Sequence, residues 1–310
     1  MRSVERLINQ IRKQTENEEF SDFTGIGDQE FIQYLNDAQY NLQALIVQQH
    51  PRVFIEEVII DAVQGQEKYA LPSDCFLKNK VHNVEFSSTG DEDDYYVLEE
   101  DTLKRRNPGV SGSPAKYIRL SGQVLLSPAP QSTGKIRINY VRRLKELDKK
   151  SAKVGSDTAI DSSTSFTIPL TSDSTISTNL DSLNEHDFIC VVDKEGNTLV
   201  KNIEITAVDT SLITCTAHTI ESGEVSTIPA GSLIVGGKDT TTHSELDISV
   251  ERYLISYCAW KILKRDSSVD SMEAIQELQA MAQEIVKSYA MVSDDVQYIP
   301  QLNTWEDWSN

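Results

Sequence analysis

The sequence predicts an α+β fold in which a terminal α-helical bundle carries two β modules. Three observations predict it. Helical apolar stripes lie near the two ends of the chain, short alternating strands fill the middle, and the second half of that middle is rich in serine and threonine. Because an apolar helix stripe must be buried against another element, we expect the N-terminal helices to pack against a C-terminal helical hairpin.

Shifts in these patterns predict the domain boundaries. Residues 1–51 and 247–292 form the helical platform, and residues 52–147 form an inserted β-sandwich-like module. Residues 148–246 form a second inserted β domain, and 293–310 are a C-terminal extension. A chain of 310 residues leaves room for two or three domains, so this division is compatible with its length.

The first two elements are amphipathic helices. The segment from Ser3 to Gln14 places apolar residues at helical spacing, and a second helix runs from Asp28, which can cap it, to Gln49. Pro51 ends the second helix. Its apolar face is predicted to contain Phe31, Ile32, Leu35, Ala38, Leu42, Leu45 and Ile46. Ordering such a helix costs conformational entropy that burial of this face must offset, so the helix requires a docked partner.

Short strands separated by turns follow from Arg52 onwards. Apolar alternation predicts strands within 53–55, 58–60, 68–71, 81–86, 95–98, 117–120, 123–127 and 135–141. Ser121-Gly122 lies between two of these strands and predicts a two-residue hairpin. Many short strands at regular intervals are typical of a compact sandwich or barrel-like module.

Composition changes near Asp148. Residues 151–246 include 30 serines and threonines among 96 residues, yet apolar alternation persists at 166–170 and 203–207. Since threonine and β-branched residues suit a pleated, half-buried surface, we expect a folded β domain rather than a linker. From Asp247, two helical stripes return on either side of a turn at 266–268, and they predict an antiparallel helical hairpin.

The net charge of −19 is concentrated in the later part of the chain, with −10 in residues 151–246 and −6 in 247–310. High-affinity duplex binding needs clustered Lys and Arg, so this balance disfavours a protein that grips DNA. It does not exclude a protein past which DNA slides. No apolar run is long enough for a membrane span, and no signal peptide is evident, which predicts a protein made in a cytoplasm.

The sequence contains no recognisable catalytic, cofactor-binding or metal-binding motif. The five histidines and four cysteines are scattered without metal-ligand spacing, and no phosphate-binding loop or nucleophile elbow occurs. The acidic run Asp91 to Asp94 could hold a cation but is more typical of a solvated loop. Lys104 to Arg106 and Arg142-Arg143 could contact phosphate or pair with carboxylates. We therefore predict no enzyme activity, no cofactor and no metal.

The segment 293–310 has no helical stripe but contains aromatic residues suited to partner binding. Tryptophan exposed in such a segment leaves apolar area in water and is a favoured interface anchor. The segment either folds back onto its own subunit or docks on a neighbouring subunit or another partner. The predicted partner-binding residues are Tyr298, Ile299, Trp305 and Trp308.

Several stretches together resemble the head-to-tail adaptor, or connector, proteins of short-tailed bacteriophages. They are Phe31 to Gln39, Lys68 to Asp74, Pro114 to Tyr117 with Leu125 to Pro130 and Ile138 to Tyr140, and Glu251 to Leu254 with Asp266 to Ser268. The resemblance covers about two thirds of the chain and rests on the order of these stretches between terminal helices. Residues 151–246 depart from the smallest adaptors.

The resemblance implies a structural virion protein. Such proteins form a ring, commonly of twelve subunits, that docks beneath the portal and forms part of the channel through which DNA passes without specific binding. Their C-terminal extension can reach into the portal, a role that the resemblance carries onto Tyr298, Ile299, Trp305 and Trp308. Partners are then the portal, tail nozzle or fibre proteins, and the expected location is the head-tail junction of a virion assembled in the host cytoplasm.

Two alternatives stay open at this point. The chain could be another phage tail structural protein, or an adhesin-type binding protein that uses the Ser/Thr-rich β domain. That domain has no Trp or Tyr and only Phe166 and Phe188 as aromatic residues, which weakens the adhesin interpretation. A hydrolase is the third class, and the missing motifs argue against it.

Overall fold

The computed structural model describes residues 2–15, 27–105, 109–171, 183, 187–221, 223–265 and 271–294. It has α+β architecture, and the chain divides into two compact units. Unit 1 comprises residues 1–41 and 144–282, and unit 2 comprises residues 42–143 and 283–310. The described helices are α1 (Val4–Gln14), α2 (Asp28–Gln49), α3 (Glu251–Arg265) and α4 (Ser271–Asp294).

The helices of unit 1 bring the two ends of the sequence together. Helix α1 begins after Ser3, whose hydroxyl accepts from the backbone N–H of Arg6, and it buries four apolar side chains. It packs against α3, whose buried residues include Leu254, Cys258 and Ile262. This packing of N-terminal against C-terminal helix is the contact that the two unpartnered stripes predict.

The β domain of unit 1 is built on a six-stranded sheet. In spatial order its strands are β12 (Ala152–Lys153), β19 (Leu233–Gly236), β15 (Phe188–Val192), β16 (Thr198–Val208), β17 (Leu212–Cys215) and β14 (Phe166–Pro169). One continuous apolar cluster lies within it, with Ile168, Ile189, Ile203 and Ile213 fully buried. The alternating apolar residues predicted at 166–170 and 203–207 therefore contribute Phe166, Ile168 and Ile203 to a packed core.

Unit 2 contains two four-stranded sheets that share one apolar cluster. The first has the order β1 (Ile55–Ala62), β10 (Gly134–Val141), β3 (Val81–Ser87) and β4 (Tyr96–Val97). The second has the order β2 (Lys68–Ala70), β8 (Gln123–Ser127), β7 (Lys116–Leu120) and β5 (Glu99–Glu100). Leu120 pairs with Gln123 across Ser121-Gly122, which confirms the predicted hairpin, and Gly122 adopts φ 73° as such a turn requires.

Short two-stranded pairs complete the described strands. They are β6 (Ser111–Gly112) with β9 (Ala129–Pro130), β11 (Glu146–Leu147) with β20 (Thr240–Thr241), and β13 (Thr158–Ala159) with β18 (Thr227–Ile228).

Four local expectations were wrong. Asp28 is the first helical residue rather than the cap. The carbonyl of Gly27 accepts hydrogen bonds from the backbone N–H groups of Glu30 and Phe31. The Asp28 carboxylate pairs instead with Arg12 and Lys149. Leu45, predicted on the apolar face of α2, is 40% exposed, and Met272, an apolar position of the second predicted C-terminal stripe, is 66% exposed. Val53 and Phe54 lie in a turn, and the strand predicted to include them begins only at Ile55.

Polar residues explain why the buried face of α2 differs from its apolar stripe. Gln43 is fully buried because its Nε2 donates to the carbonyl of Arg142 at 2.7 Å within unit 2. In unit 1, Asn36 and Gln39 are buried for the same reason, with the carbonyls of Leu147 and Lys145 as acceptors. Hydrogen-bonding side chains thus occupy helix positions that apolar periodicity leaves unassigned.

Candidate interaction surfaces

A groove on the helical face of unit 1 is a candidate binding surface among the described residues. It has a volume of about 580 Å³ and lies among α1, α3 and the first half of α4. Its apolar lining comes from Ile255, Trp260 and Leu263 of α3 and from Leu278 and Met281 of α4. Arg2, Gln10 and Arg252 supply polar groups at the same surface. We call this surface the helix groove.

A partly buried ion pair forms part of the groove lining. Nε of Arg2 lies 2.9 Å from Oε2 of Glu251, the first residue of α3, and the Glu251 side chain is 1% exposed. Burial raises the pKa of Glu251 above its ordinary value, and the positive charge of Arg2 opposes that rise. The pair joins Arg2, two residues before α1, to the first residue of α3.

Aromatic residues form a row along α3. The ring centroids of Tyr253 and Tyr257 are 6.1 Å apart, and those of Tyr257 and Trp260 are 5.8 Å apart. Nζ of Lys264 lies 5.1 Å from the centroid of the Trp260 ring, within cation–π range. The indole Nε1 of Trp260 is buried and donates to no acceptor among the described residues.

The solvent face of the first sheet in unit 2 is organised around Arg137 of β10. Its guanidinium lies 3.4 Å from a carboxylate oxygen of Glu57 and 3.3 Å from one of Glu85, and it also pairs with Glu92. It stacks 3.8 Å from the ring centroid of Tyr95. One cation therefore faces three carboxylates, and their hydrogen bonding and charge raise the pKa of Arg137 further.

The acidic run that could have held a cation is used internally. Asp94 accepts hydrogen bonds from the hydroxyls of Ser88 and Thr89 at 3.2 and 2.9 Å, and Glu92 pairs with Arg137. Within the residues that the structure describes, no group of three His, Cys, Asp or Glu side chains could hold a metal ion. Arg142, one of the predicted basic residues, pairs with Glu56 at 3.5 Å.

Two of the scattered histidines have polar partners within unit 1. His218 Nε2 lies 3.0 Å from Glu224 Oε2, and Nδ1 of the buried His243 lies 2.8 Å from the hydroxyl of Thr242. All four cysteines are free and buried, and burial raises the pKa of the Cys215 thiol to about 12. Raised thiol pKa values disfavour the nucleophilic thiolate.

The four predicted partner-binding residues, Tyr298, Ile299, Trp305 and Trp308, lie outside the described residues. No helix in the described part of the chain combines the length and the apolar character that a membrane span requires.

Comparison with protein families shows which family the chain belongs to. Residues 2–166 match the family model described as SU10 adaptor protein, which is more than half of the chain. The chain belongs to the SU10 adaptor protein family. Comparison with curated proteins gives no match.

Membership makes this chain a phage head-to-tail adaptor, a structural protein of the virion. An adaptor family of this kind is not an enzyme family, in agreement with the absence of catalytic motifs in the sequence. The matched segment of the adaptor includes α1, α2 and all the described strands of unit 2.

Sequence reasoning missed the helix groove. Arg2 and Glu251 are far apart in the chain, and no sequence pattern links the two residues. One signal was present, since α3 carries Arg252, Lys261, Lys264 and Arg265 against a single acidic residue in an otherwise acidic chain. The basic residues of α3 distinguish that helix from the acidic remainder of the chain.

Proposed function

We propose that this adaptor forms a ring beneath the portal of a short-tailed phage, joins the portal to the tail and forms part of the DNA channel. The observation that carries the proposal is the family match over residues 2–166. The ring has twelve copies, as the resemblance to connector proteins implies. Its location is the head-tail junction of a virion assembled in the host cytoplasm, and it works without catalysis or a cofactor.

The regions have separate roles in this proposal. The terminal helices, residues 1–51 and 247–292, are the bundle that forms the ring platform, which the packing of α1 against α3 supports. Residues 52–147 are the attached sandwich-like module. Residues 148–246 are an additional β domain that meets tail nozzle or fibre proteins. The extension 293–310 contacts a partner within the assembled junction through Tyr298, Ile299, Trp305 and Trp308.

The charge of the chain supports passage of DNA rather than binding. With a net charge of −19, a channel lined by carboxylates repels phosphates and keeps DNA from adhering during ejection. In unit 2, the guanidinium of Arg137 is already surrounded by Glu57, Glu85 and Glu92, so it is not available as a free cation for phosphate. Specific DNA contacts are therefore not part of the function.

Mass measurement and negative-stain imaging of the purified chain, alone and mixed with its portal, test the proposal. We expect twelvefold rings on the portal, whether or not the isolated chain is monomeric, because subunits can require the portal as a template. A chain that stays monomeric and never decorates the portal contradicts the proposal. Rings of another symmetry would contradict only the copy number.

A test of the channel follows once such rings are imaged. Carboxylates that face the lumen are replaced by lysine, and the same number of carboxylates on the outer surface are replaced as the control. Slower DNA ejection is expected only for the lumen set, since added positive charge attracts phosphates. Unchanged ejection would count against an acidic channel.

A further inference from the structure

The solvent face of the first sheet in unit 2 is apolar at both of its edges. Cross-strand pairing aligns one residue from each strand on this face, in the order Ile59, Arg137, Glu85 and Val97. The side chain of Ile59 on β1 is 44% exposed, and that of Val97 on β4 is 63% exposed. Two apolar side chains are therefore left in water at the edges of a folded sheet.

Val97 also lies on an open strand edge. The N–H of Leu98 donates to the carbonyl of Val84, so these two residues make ladder hydrogen bonds between β4 and β3. Alternate residues of an antiparallel pair turn their backbone groups away from the partner strand, as Val97 does here. Among the described residues, its N–H and carbonyl have no hydrogen-bond partner. We call residues 91–97, which contain this strand and the acidic run before it, the β4 edge.

Carboxylates outnumber cations on this face and along the β4 edge. Both cations are already paired with carboxylates of the same surface. Asp91 and Asp93 are exposed, and their carboxylates form no ion pair with another described residue. This surface therefore fits a partner that combines an apolar side chain with unpaired positive charge. Its charged residues are Glu57, Asp61, Glu85, Asp91, Glu92, Asp93 and Asp94 against Lys135 and Arg137.

The loop that precedes β3 has this complementary chemistry. We call residues 76–80 the Leu77 loop. Leu77 is 67% exposed, and Lys78 and Lys80 beside it are exposed and form no ion pair within the described part of the chain. The loop and the segments hydrogen-bonded to it carry five cations and three carboxylates. They are Lys78, Lys80, Arg119, Arg142 and Arg143 against Glu56, Asp74 and Glu100.

The backbone holds Leu77 in a fixed position. Leu77 and Lys78 both have positive φ, 52° and 55°, a conformation that is costly for residues other than glycine. Hydrogen bonds to two neighbouring segments maintain it, since the N–H of Gly122 donates to the Lys78 carbonyl and the N–H of Val141 to the Lys80 carbonyl, both at 2.8 Å. An exposed leucine on an anchored turn loses little further conformational entropy when it docks.

The two surfaces lie at opposite ends of β3. The Leu77 loop ends directly before Val81, the first residue of the strand, and the acidic run follows Ser87, its last residue, about 20 Å away. That separation exceeds the Debye length of about 8–10 Å, so the two sets of charges do not compensate each other within one subunit. Two different surfaces at opposite ends of a unit allow a head-to-tail contact between copies, the kind that closes into rings.

We infer that the Leu77 loop of each subunit docks on the β4 edge of a second copy of this chain. Leu77 packs against Val97, and Lys78 and Lys80 face Asp91 and Asp93. The inference rests on the proposed ring and names a contact between its subunits. Both halves of the contact belong to unit 2, so every subunit offers one loop and one edge.

Disulfide trapping between two full-length variants tests this contact. One variant has Leu77→Cys and the other has Val97→Cys, both at exposed positions outside the core. The four native cysteines are buried, so the introduced thiols are the reactive ones. Mixed with portal and oxidised, the two variants are expected to give a disulfide-linked dimer on non-reducing electrophoresis. Either variant alone is expected to give none, because a head-to-tail contact joins a loop to an edge.

Exchange of charges between the two surfaces shows whether the trapped contact depends on them. Lys78→Glu with Lys80→Glu in the chain with the loop cysteine is expected to reduce the dimer yield at least tenfold, because like charges then face each other. Asp91→Lys with Asp93→Lys in the chain with the edge cysteine is expected to restore the yield to within twofold.

A matched control separates this effect from a general change in charge. Lys68→Glu with Lys104→Glu makes the same change at two exposed residues of unit 2 outside the Leu77 loop, and it is expected to leave the dimer yield unchanged. Thermal unfolding of each charge variant is expected to match that of its parent chain. A tenfold loss of dimer in the control as well would contradict the inference.

A benzophenone maleimide attached to the thiol of Leu77→Cys identifies the surface that the loop contacts. On irradiation it is expected to label residues 91–97 of another copy, and labelling of the portal or of a tail protein instead would overturn the inference. Dimers formed by either cysteine variant alone would contradict a head-to-tail contact. Rings imaged on the portal without mixed dimers contradict the docking and leave the ring intact, whereas chains that neither assemble nor cross-link contradict both.

Discussion

Asn36 and Leu147 exchange two hydrogen bonds in the interior of unit 1. Nδ2 of Asn36 donates to the Leu147 carbonyl at 2.9 Å, and the Leu147 backbone N–H donates to Oδ1 of Asn36 at 2.8 Å. Asn36 is 7% exposed and Leu147 is fully buried. A helix side chain thus satisfies both backbone groups of a residue 111 positions away, where water cannot replace it.

Asn36→Ala is expected to destabilise the protein by about 2–3 kcal/mol, because it leaves two buried backbone groups of Leu147 without partners. Urea unfolding at equilibrium measures the change. Gln33→Ala, at an exposed position of the same helix, is the control and is expected to shift the free energy of unfolding by less than about 0.5 kcal/mol. Equal effects of the two substitutions would contradict this role of Asn36.

Arg2→Met is expected to destabilise the protein at pH 7, by up to about 3 kcal/mol, because Glu251 loses the charge that compensates its burial. The folded-state pKa of Glu251 is raised, so its contribution to stability is largest below its unfolded pKa and falls as pH rises through the folded pKa. The deficit of Arg2→Met should therefore shrink on acidification from pH 7 towards pH 4. Unfolding free energies across that range check the trend.

Arg2→Met with Glu251→Gln provides the control for this pH dependence. Glutamine has no titrating carboxyl group, so the double variant should show a smaller difference from wild type at pH 7 than Arg2→Met alone. The pH dependence of its free energy of unfolding should also lack the contribution that Glu251 makes in the wild type. A deficit of Arg2→Met that is constant between pH 4 and 7 would show that Glu251 is not responsible.

Gly196→Ala is expected to destabilise unit 1 more than Gly122→Ala destabilises unit 2. Both glycines have positive φ, 93° and 73°, so each substitution meets the left-handed backbone penalty of about 1–2 kcal/mol. At Gly196 a Cβ would also lie 2.4 Å from Cβ of His243, whereas Gly122 has open space around it. Thermal unfolding of the two variants gives the comparison, and equal losses would rule out the His243 contact as a constraint.

Tyr140→Phe is expected to lower the free energy of unfolding by about 1–1.5 kcal/mol at neutral pH, because the Tyr140 hydroxyl donates to Asp74 at 3.0 Å. Burial and the Asp74 charge raise the pKa of Tyr140. Its contribution is therefore present below pH 10 and falls as pH rises above the unfolded pKa. Tyr34→Phe is the comparison. Tyr34 lies at a half-buried helix position, and its hydroxyl donates to Glu30 rather than to Asp74.

Absorbance near 295 nm checks the same residue independently. Tyr140 should not ionise in the folded protein in the range where exposed tyrosines do, and its phenolate signal should appear only on alkaline unfolding. Loss of one late-titrating tyrosine in Tyr140→Phe is the expected result. A spectrum identical to wild type would contradict the raised pKa.

Much of the secondary structure was predictable because local chemistry decides it. The helical period sets α2 over Asp28–Gln49, and Ser121-Gly122 has the residues that a two-residue hairpin needs. The residues buried on α2 were less predictable. Leu45 is exposed while Asn36, Gln39 and Gln43 are buried, since their backbone partners lie about a hundred positions away. The spacing of apolar residues along a helix does not show which polar side chains will find such distant hydrogen-bond partners.

The sequence by itself determined the α+β class, the order of helices and strands, the absence of catalytic motifs and the resemblance to connector proteins. These properties depend on residue type, period and spacing, which act over a few neighbouring residues. The tertiary structure alone decided that Arg2 pairs with Glu251 and that Arg137 faces three carboxylates. It also decided that a basic helix borders an open groove, because such contacts depend on how distant segments pack rather than on local pattern.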